Sequence, residues 1–176
     1  PVVFNLIEGG IRLMVFLLYI WGISFMQGIH RVFQYHGAEH KTIHCYEAGE
    51  ALTVENVQKF PRLHPRCGTN FLLIVMIVAI VFHVFFGWPD LWVRILSRLA
   101  VLPIVAGVSY EFIRFAGRSE SALVRIAITP GLWLQYLTTR PPDDEMVEVA
   151  IESLKAVLPP EDIPEGSGNY RKEVTC

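Results

Sequence analysis

The residues best equipped for chemistry fall in two short runs: His36, Glu39 and His40 in YHGAEHK, followed by His44, Cys45 and Glu47, and then His64 and Cys67 in HPRCGTN. The segment His36-Gly37-Ala38-Glu39-His40 fits H-x-x-E-H, the inverted form of the zinc-metallopeptidase helix motif. Histidines at i and i+4 lie on one helix face and can hold one ion through neutral imidazole nitrogens, with Glu39 beside them as a ligand or a base. His44 extends that face by a further turn. Five residues of common types arise readily by chance, so position carries more of the argument than the motif. If a membrane helix ends near residue 29, His36 lies about 10 Å beyond it at 1.5 Å per residue. His64 and Cys67 precede a second apolar run by a similar distance. The expected ligand set is therefore His36, His40, His64 and Cys67 around a divalent ion, Zn²⁺ first, with Glu39 as the catalytic base. His36 and His40 should share a site with at least one of His64 and Cys67. His44, Cys45 and Glu47 are further candidates. The bland alternatives are interfacial histidines bonded to carbonyls or lipid phosphates, and a Cys67 that is merely a small buried residue. Glu111 with Arg114 at i+3 reads as an ion pair, and His83 as a polar residue facing a partner or the core.

The elements that must position these residues are apolar helices. Of the 176 residues 52% are apolar and only 18% charged, and the apolar excess is concentrated in runs. Residues 13–29 and 71–89 hold no charge, and each is long enough to cross hydrocarbon. A third span is expected from about Trp92 to Phe115, with Arg94 and Arg98 snorkelling at one end. No proline interrupts residues 2–60, so the first helix is expected to continue past the apolar run and stop near Gly49. Thr53 reads as the N-cap of a short helix through VENVQKF. Residues 119–140, interrupted by Pro130 and Gly131, suggest an interfacial or re-entrant segment. From residue 141 the composition turns acidic: residues 141–176 hold nine acids and three bases, against eight and twelve in residues 1–140. Asp143, Asp144 and Glu145 should open a helix whose Val147, Ile151, Leu154 and Leu158 share a face. The remainder, PPEDIPEGSGNYRKEVTC, reads as a flexible tail.

The expected class is thus all-α: a polytopic helical membrane protein with about three transmembrane helices, a motif loop over 30–70 and a C-terminal amphipathic helix. Residues 1–118 form the membrane domain, 119–140 the interfacial segment, and 141–176 an acidic appendage. Arg31, Lys41, Lys59, Arg62 and Arg66 in the loop, with Arg114, Arg118 and Arg125 after the third span, place the loop and the C-terminus in the cytoplasm by the positive-inside rule. Three thiols agree with a reducing face.

FQYHGAEHKTIHCYEAGEALTVENVQKFPRLHPRCGTNF, with FNLIEGGIRL before it and SYEFIRFAG after the third span, closely resembles the bacterial YqhQ family, a group of unknown function described as predicted metal-dependent enzymes. The resemblance covers roughly residues 1–158 and implies a bound metal in the bacterial cytoplasmic membrane. Members are usually longer at the N-terminus, so upstream sequence is expected. The leading expectation is a metal-dependent membrane enzyme, most simply a hydrolase. Two others stand beside it: an oligomeric ion channel or transporter, and a scaffold that offers its acidic helix to a cytoplasmic protein. Membrane lipid and further copies of the chain are the expected partners, and no nucleic-acid signature is present.

Overall fold

The computed structural model describes residues 2–84, 90–119 and 121–164. Among them the chain is all-helical, without strands: α1 (Val2–Ile23), α2 (Gln27–Glu47), α3 (Val54–Gln58), α4 (Gly68–Val84), α5 (Leu91–Ala116), α6 (Ala122–Thr138) and α7 (Asp144–Lys155), then a 3-10 turn at Pro160–Asp162. It divides into two compact units, one of residues 1–22 and 65–135, the other of residues 23–64 and 136–176.

The first unit holds the apolar helices. Two of them, α1 with 22 residues and α5 with 26, are long and apolar enough to cross a membrane. α4 has 17 residues and is shorter than that; the end of the expected second span, residues 85–89, lies outside the described residues. Large apolar side chains such as Phe4, Leu18, Trp21, Leu96, Leu99 and Ile126 point outward, the inverse of a water-soluble surface. The interior is small and partly polar. Leu73, Ile74, Val105, Ile113 and Leu134 are buried together with Asn70, Ser109 and Gln135. The Ser109 hydroxyl is satisfied by the Val105 carbonyl at 2.7 Å, the usual helical recourse for a hydroxyl without water. Asn5 donates its amide to the His83 carbonyl at 3.0 Å, satisfying a terminal acceptor of α4.

Residues 122–138 form one helix that passes through Pro130, rather than a broken segment. The neighbouring glycine has a packing reason: a Cβ on Gly131 would collide with the Asn70 side chain. Asn70 is itself fixed by donating to the Pro65 carbonyl at 2.7 Å. A proline tolerated in an apolar helix therefore sits next to a glycine that admits a buried amide.

The second unit is built on α2. The apolar helix and the histidine helix are separate, because the chain breaks at residues 24–26, where Met26 is extended (φ −73, ψ 128) and N-caps α2. No proline marks that break. α2 stops where expected: Gly49 has φ 71, and its N–H reaches the Tyr46 carbonyl (3.0 Å) while that of Glu50 reaches Cys45 (3.1 Å). This is a Schellman stop, and only glycine adopts it without strain. Thr53 caps α3 by accepting from the Asn56 N–H, and Asp143 caps α7 by accepting from the Met146 N–H.

One face of α2 (Ala38 and Cys45, with half-buried Tyr35 and Tyr46) packs on Leu52, Val57, Met146, Val147, Ala150 and Ile151. The apolar stripe of α7 is thus spent within its own unit, and each large aliphatic side chain fully buried there stabilises by about 1.5–3 kcal/mol. Leu154 packs against the same cluster. Residues 165–176 of the expected tail lie outside the described residues.

Candidate metal centre

The face of α2 turned away from that core carries the chemistry. His36, His40 and His44 recur every four residues and so share one side of α2. The His36 and His40 centroids are 4.3 Å apart. His64 joins them from the loop after α3, 5.8 Å from the His40 ring and 4.6 Å from that of His44. Glu47, three residues beyond His44, brings Oε2 to 3.5 Å from His64 Nε2.

Each helix histidine is oriented by a backbone carbonyl. His36 Nδ1 lies 2.8 Å from the Thr138 oxygen, His40 Nδ1 2.6 Å from that of Arg62, and His44 Nε2 2.9 Å from that of Leu63. A carbonyl can only accept, so the facing nitrogen carries the proton. In a neutral ring the other nitrogen then holds a lone pair: Nε2 of His36 and His40, Nδ1 of His44. This is the arrangement that holds metal-ligating imidazoles in one tautomer. Burial lowers the His44 pKa, with the neighbouring His64 and His40 acting the same way, against the Leu63 bond and the Glu47 charge. The balance favours the neutral, ligating form.

Chain segments at the edges hold these carbonyls in place. The Arg140 N–H donates to the Phe33 carbonyl at 2.8 Å, laying the residues after α6 along α2. A Cβ at Gly37 would run into the Arg140 carbonyl oxygen, so the glycine of YHGAEHK is where two backbones touch. Lys41 donates to the Gln58 carbonyl at 2.7 Å, and burial followed by the Arg62 charge pushes its pKa down. The Arg62 guanidinium lies 5.6 Å from the centre of the Tyr136 ring, a cation–π contact.

His44, Glu47 and His64 offer ligand atoms that all lie within 4.8 Å of one another. Tetrahedral bonds of about 2.0–2.2 Å to such ligands put donors roughly 3.3 Å apart, so a closure of an ångström or so would complete the geometry. Two imidazoles and a carboxylate are a donor set suited to Zn²⁺ and its neighbours.

Three of the expected site residues, His36, His40 and His64, therefore come together in one unit. Cys67 belongs to the other. It is buried at the entry to α4, with Sγ 3.4 Å from the Thr69 N–H and 3.2 Å from the Thr69 hydroxyl. Glu39 is exposed, off the line of imidazoles. The carboxylate beside the rings is that of Glu47, whose signal in the sequence was its i+3 spacing from His44. Cys45 lies in the apolar core, and burial together with the Glu50 charge pushes its thiol up to about 11, against a pull from Lys59. Such a thiol is a weak nucleophile at neutral pH, and its place among apolar side chains turns it away from the imidazole face. Glu111 pairs with Arg114 at 3.6 Å.

An all-helical chain with apolar helices long enough to cross a membrane and a His/Glu cluster on a separate unit defines a class, and sequence comparison narrows it to one family. Residues 1–160 match the family described as "Protein of unknown function (DUF1385)", and the chain belongs to it. It is similar to the "Uncharacterized protein YqhQ" of Bacillus subtilis (strain 168), with 45% identity over 153 residues covering 86% of this chain and 48% of that protein. The chain thus spans about half the length of that relative. No solved structure matches it.

Proposed function

We propose that this chain is the membrane-embedded part of a metal-dependent enzyme, hydrolytic in type, whose divalent ion is held on the imidazole face of α2. The observation that carries the reading is the convergence of His44, Glu47 and His64, whose ligand atoms lie within 4.8 Å of one another. Carbonyl bonds to the rings of His36, His40 and His44 suit that reading, because they leave the other ring nitrogen with a lone pair. His36, His40 and His64 would act as ligands. Cys67, three residues after His64 in the chain, is the fourth ligand expected from sequence, and His44 with Glu47 is the alternative completion. When bound, the ion would supply Lewis-acid polarisation of a carbonyl or phosphoryl oxygen. Glu47 would accept and return a proton beside it, a role Glu39 takes over only if a substrate reaches the exposed side of α2.

The outward apolar side chains of α1 and α5 support residence in a bilayer. The basic residues of 30–70 favour the cytoplasmic side for the motif segment and the C-terminus, in the bacterial cytoplasmic membrane. Lipid, and further copies of the chain, are the partners this reading takes.

The test is metal content of the full chain purified in detergent, by elemental analysis, with His40→Ala, a His44→Ala/His64→Ala pair and, as control, His30→Ala. About one equivalent of metal in the parent and in His30→Ala, lost in the other two variants with helicity retained, is expected. A parent that retains no metal after growth and reconstitution with Zn²⁺, Mn²⁺ or Fe²⁺ would overturn the proposal.

A further inference from the structure

The metal reading makes no use of the outer side of α6. Along it Leu123, Ile126 and Trp133 are 78%, 68% and 66% exposed, and Ala127 and Pro130 lie exposed between them. Spacings of three and four residues put these side chains on one flank of the helix. Ile128, Gly131 and Gln135 are buried on a second flank, and the exposed Arg125 stands with Thr129 on a third. A row of large apolar side chains left in water marks a surface that something covers.

Two close approaches fix where α6 lies within the first unit. Gly117 caps α5, and a Cβ there would stand 3.0 Å from the side chain of Arg66, just before α4 begins. The end of α5 and the start of α4 are therefore at one end of the pair. α5 is long enough to cross a membrane, so that end belongs at a membrane surface. α6 starts from it, shortly after Gly117. Gly131, about 14 Å further along at 1.5 Å per residue, touches Asn70 in the first turn of α4. A helix returning through the bilayer beside α4 would reach that distance near the middle of α4. α6 instead crosses the end of the pair.

Its chemistry suits that level. The 17 residues of α6 reach about 25 Å, short of the roughly 30 Å of hydrocarbon in a bilayer. Arg118 and Arg125, both exposed, bring positive charge to where anionic headgroups lie. Tryptophan favours the boundary between hydrocarbon and water. Pro130 has no N–H, so the Ile126 carbonyl loses its helical donor; interfacial water can replace it, and hydrocarbon cannot.

We propose that α6 is an in-plane membrane anchor, its Leu123, Ile126 and Trp133 flank sunk among the acyl chains of the leaflet where α4 begins, its arginines among anionic headgroups. The occupant of the apolar flank is lipid, and α6 is not a further span. The inference rests on the bilayer residence proposed above and is independent of the metal.

The experiment is fluorescence of the full chain in vesicles of phosphatidylglycerol and phosphatidylcholine, with Trp133 as the single tryptophan and the others changed to phenylalanine. Lipids brominated near the head of the acyl chain should quench it about twofold more than lipids brominated near its end, as for a helix seated about 5–10 Å into the boundary. Aqueous iodide should quench it little. If the reduced chain does not fold, the difference in fluorescence between the parent and Trp133→Phe reads the same side chain. Retention in membranes under alkaline carbonate reads bilayer residence separately, and release there would overturn residence and anchor together. A retained chain whose Trp133 is quenched best by the chain-end bromines, or by neither lipid, would overturn the anchor alone.

Discussion

Gly37→Ala is the smallest change that should disturb the candidate metal centre without touching a proposed ligand. The new methyl would meet the Arg140 carbonyl oxygen head-on and lie 3.3 Å from its carbon. Because the obstacle is backbone, a rotamer change cannot relieve it, and the residues after α6 must move off α2. Overpacking of this kind costs about 1–3 kcal/mol. The displacement also strains the Arg140–Phe33 backbone bond and the Thr138 carbonyl that orients His36, at about 1 kcal/mol each. The better helix propensity of alanine returns about 1 kcal/mol, so the net loss is about 2–4 kcal/mol, or roughly 5–15 °C in the unfolding temperature for a chain of this size. Gly28→Ala on the same helix is the internal control. Nothing lies within 4 Å of its would-be Cβ, so it should leave stability unchanged or raise it by about 0.5 kcal/mol. Both variants would be compared with the parent by differential scanning fluorimetry in one detergent, with and without added Zn²⁺. If Gly37→Ala melts at or above the parent temperature, the close approach of the two backbones, and with it the account of how His36 is oriented, is wrong.

Three further outcomes follow from the second unit. Cys45 should resist iodoacetamide at neutral pH in the folded chain. With its thiol raised from 9.0 to about 11, its contribution to stability is fully present below pH 9 and fades as pH rises through about 11, so alkylation should appear across that window and not below it. Val147→Ala removes a side chain with no exposed surface, and chemical denaturation should report a loss of about 2 kcal/mol. Asp143→Ala deletes the cap of α7 and should cost about 1 kcal/mol, visible as faster amide exchange over its first turn; unchanged exchange would mean the cap contributes nothing.

Much of this architecture was legible because its signals are local. Thr53 caps the helix it was expected to cap, the acidic run from Asp143 opens α7, Gly49 ends α2, and the spacing of Val147, Ile151 and Leu154 foretold the face that α7 buries. Those signals act over one or two turns. The break at residues 24–26 has no proline or charge to announce it, and the place of Gly131 against Asn70 depends on a residue that no window of α6 contains. The site divides in the same way. The i, i+4 histidines could be read as one face, and His64 could be expected near them. That Glu47 and not Glu39 stands beside the rings depends on which side of α2 the core takes, a choice made by α7 more than ninety residues away. Cys45 looked like a ligand by proximity in sequence, but its place on the helix turns it into the core.

The measurement that bears most directly on the central claim is the zinc K-edge absorption spectrum of the full chain loaded with one equivalent of Zn²⁺. The account predicts nitrogen and oxygen neighbours at about 2.0–2.2 Å with the outer-shell scattering of at least two imidazoles, and a sulfur at about 2.3 Å if Cys67 is the fourth ligand. Both imidazole scattering and bound zinc should decline in His40→Ala and persist in His30→Ala. A spectrum of hydrated zinc without imidazole shells, or one that His40→Ala and the His44→Ala/His64→Ala pair leave unchanged, would contradict it.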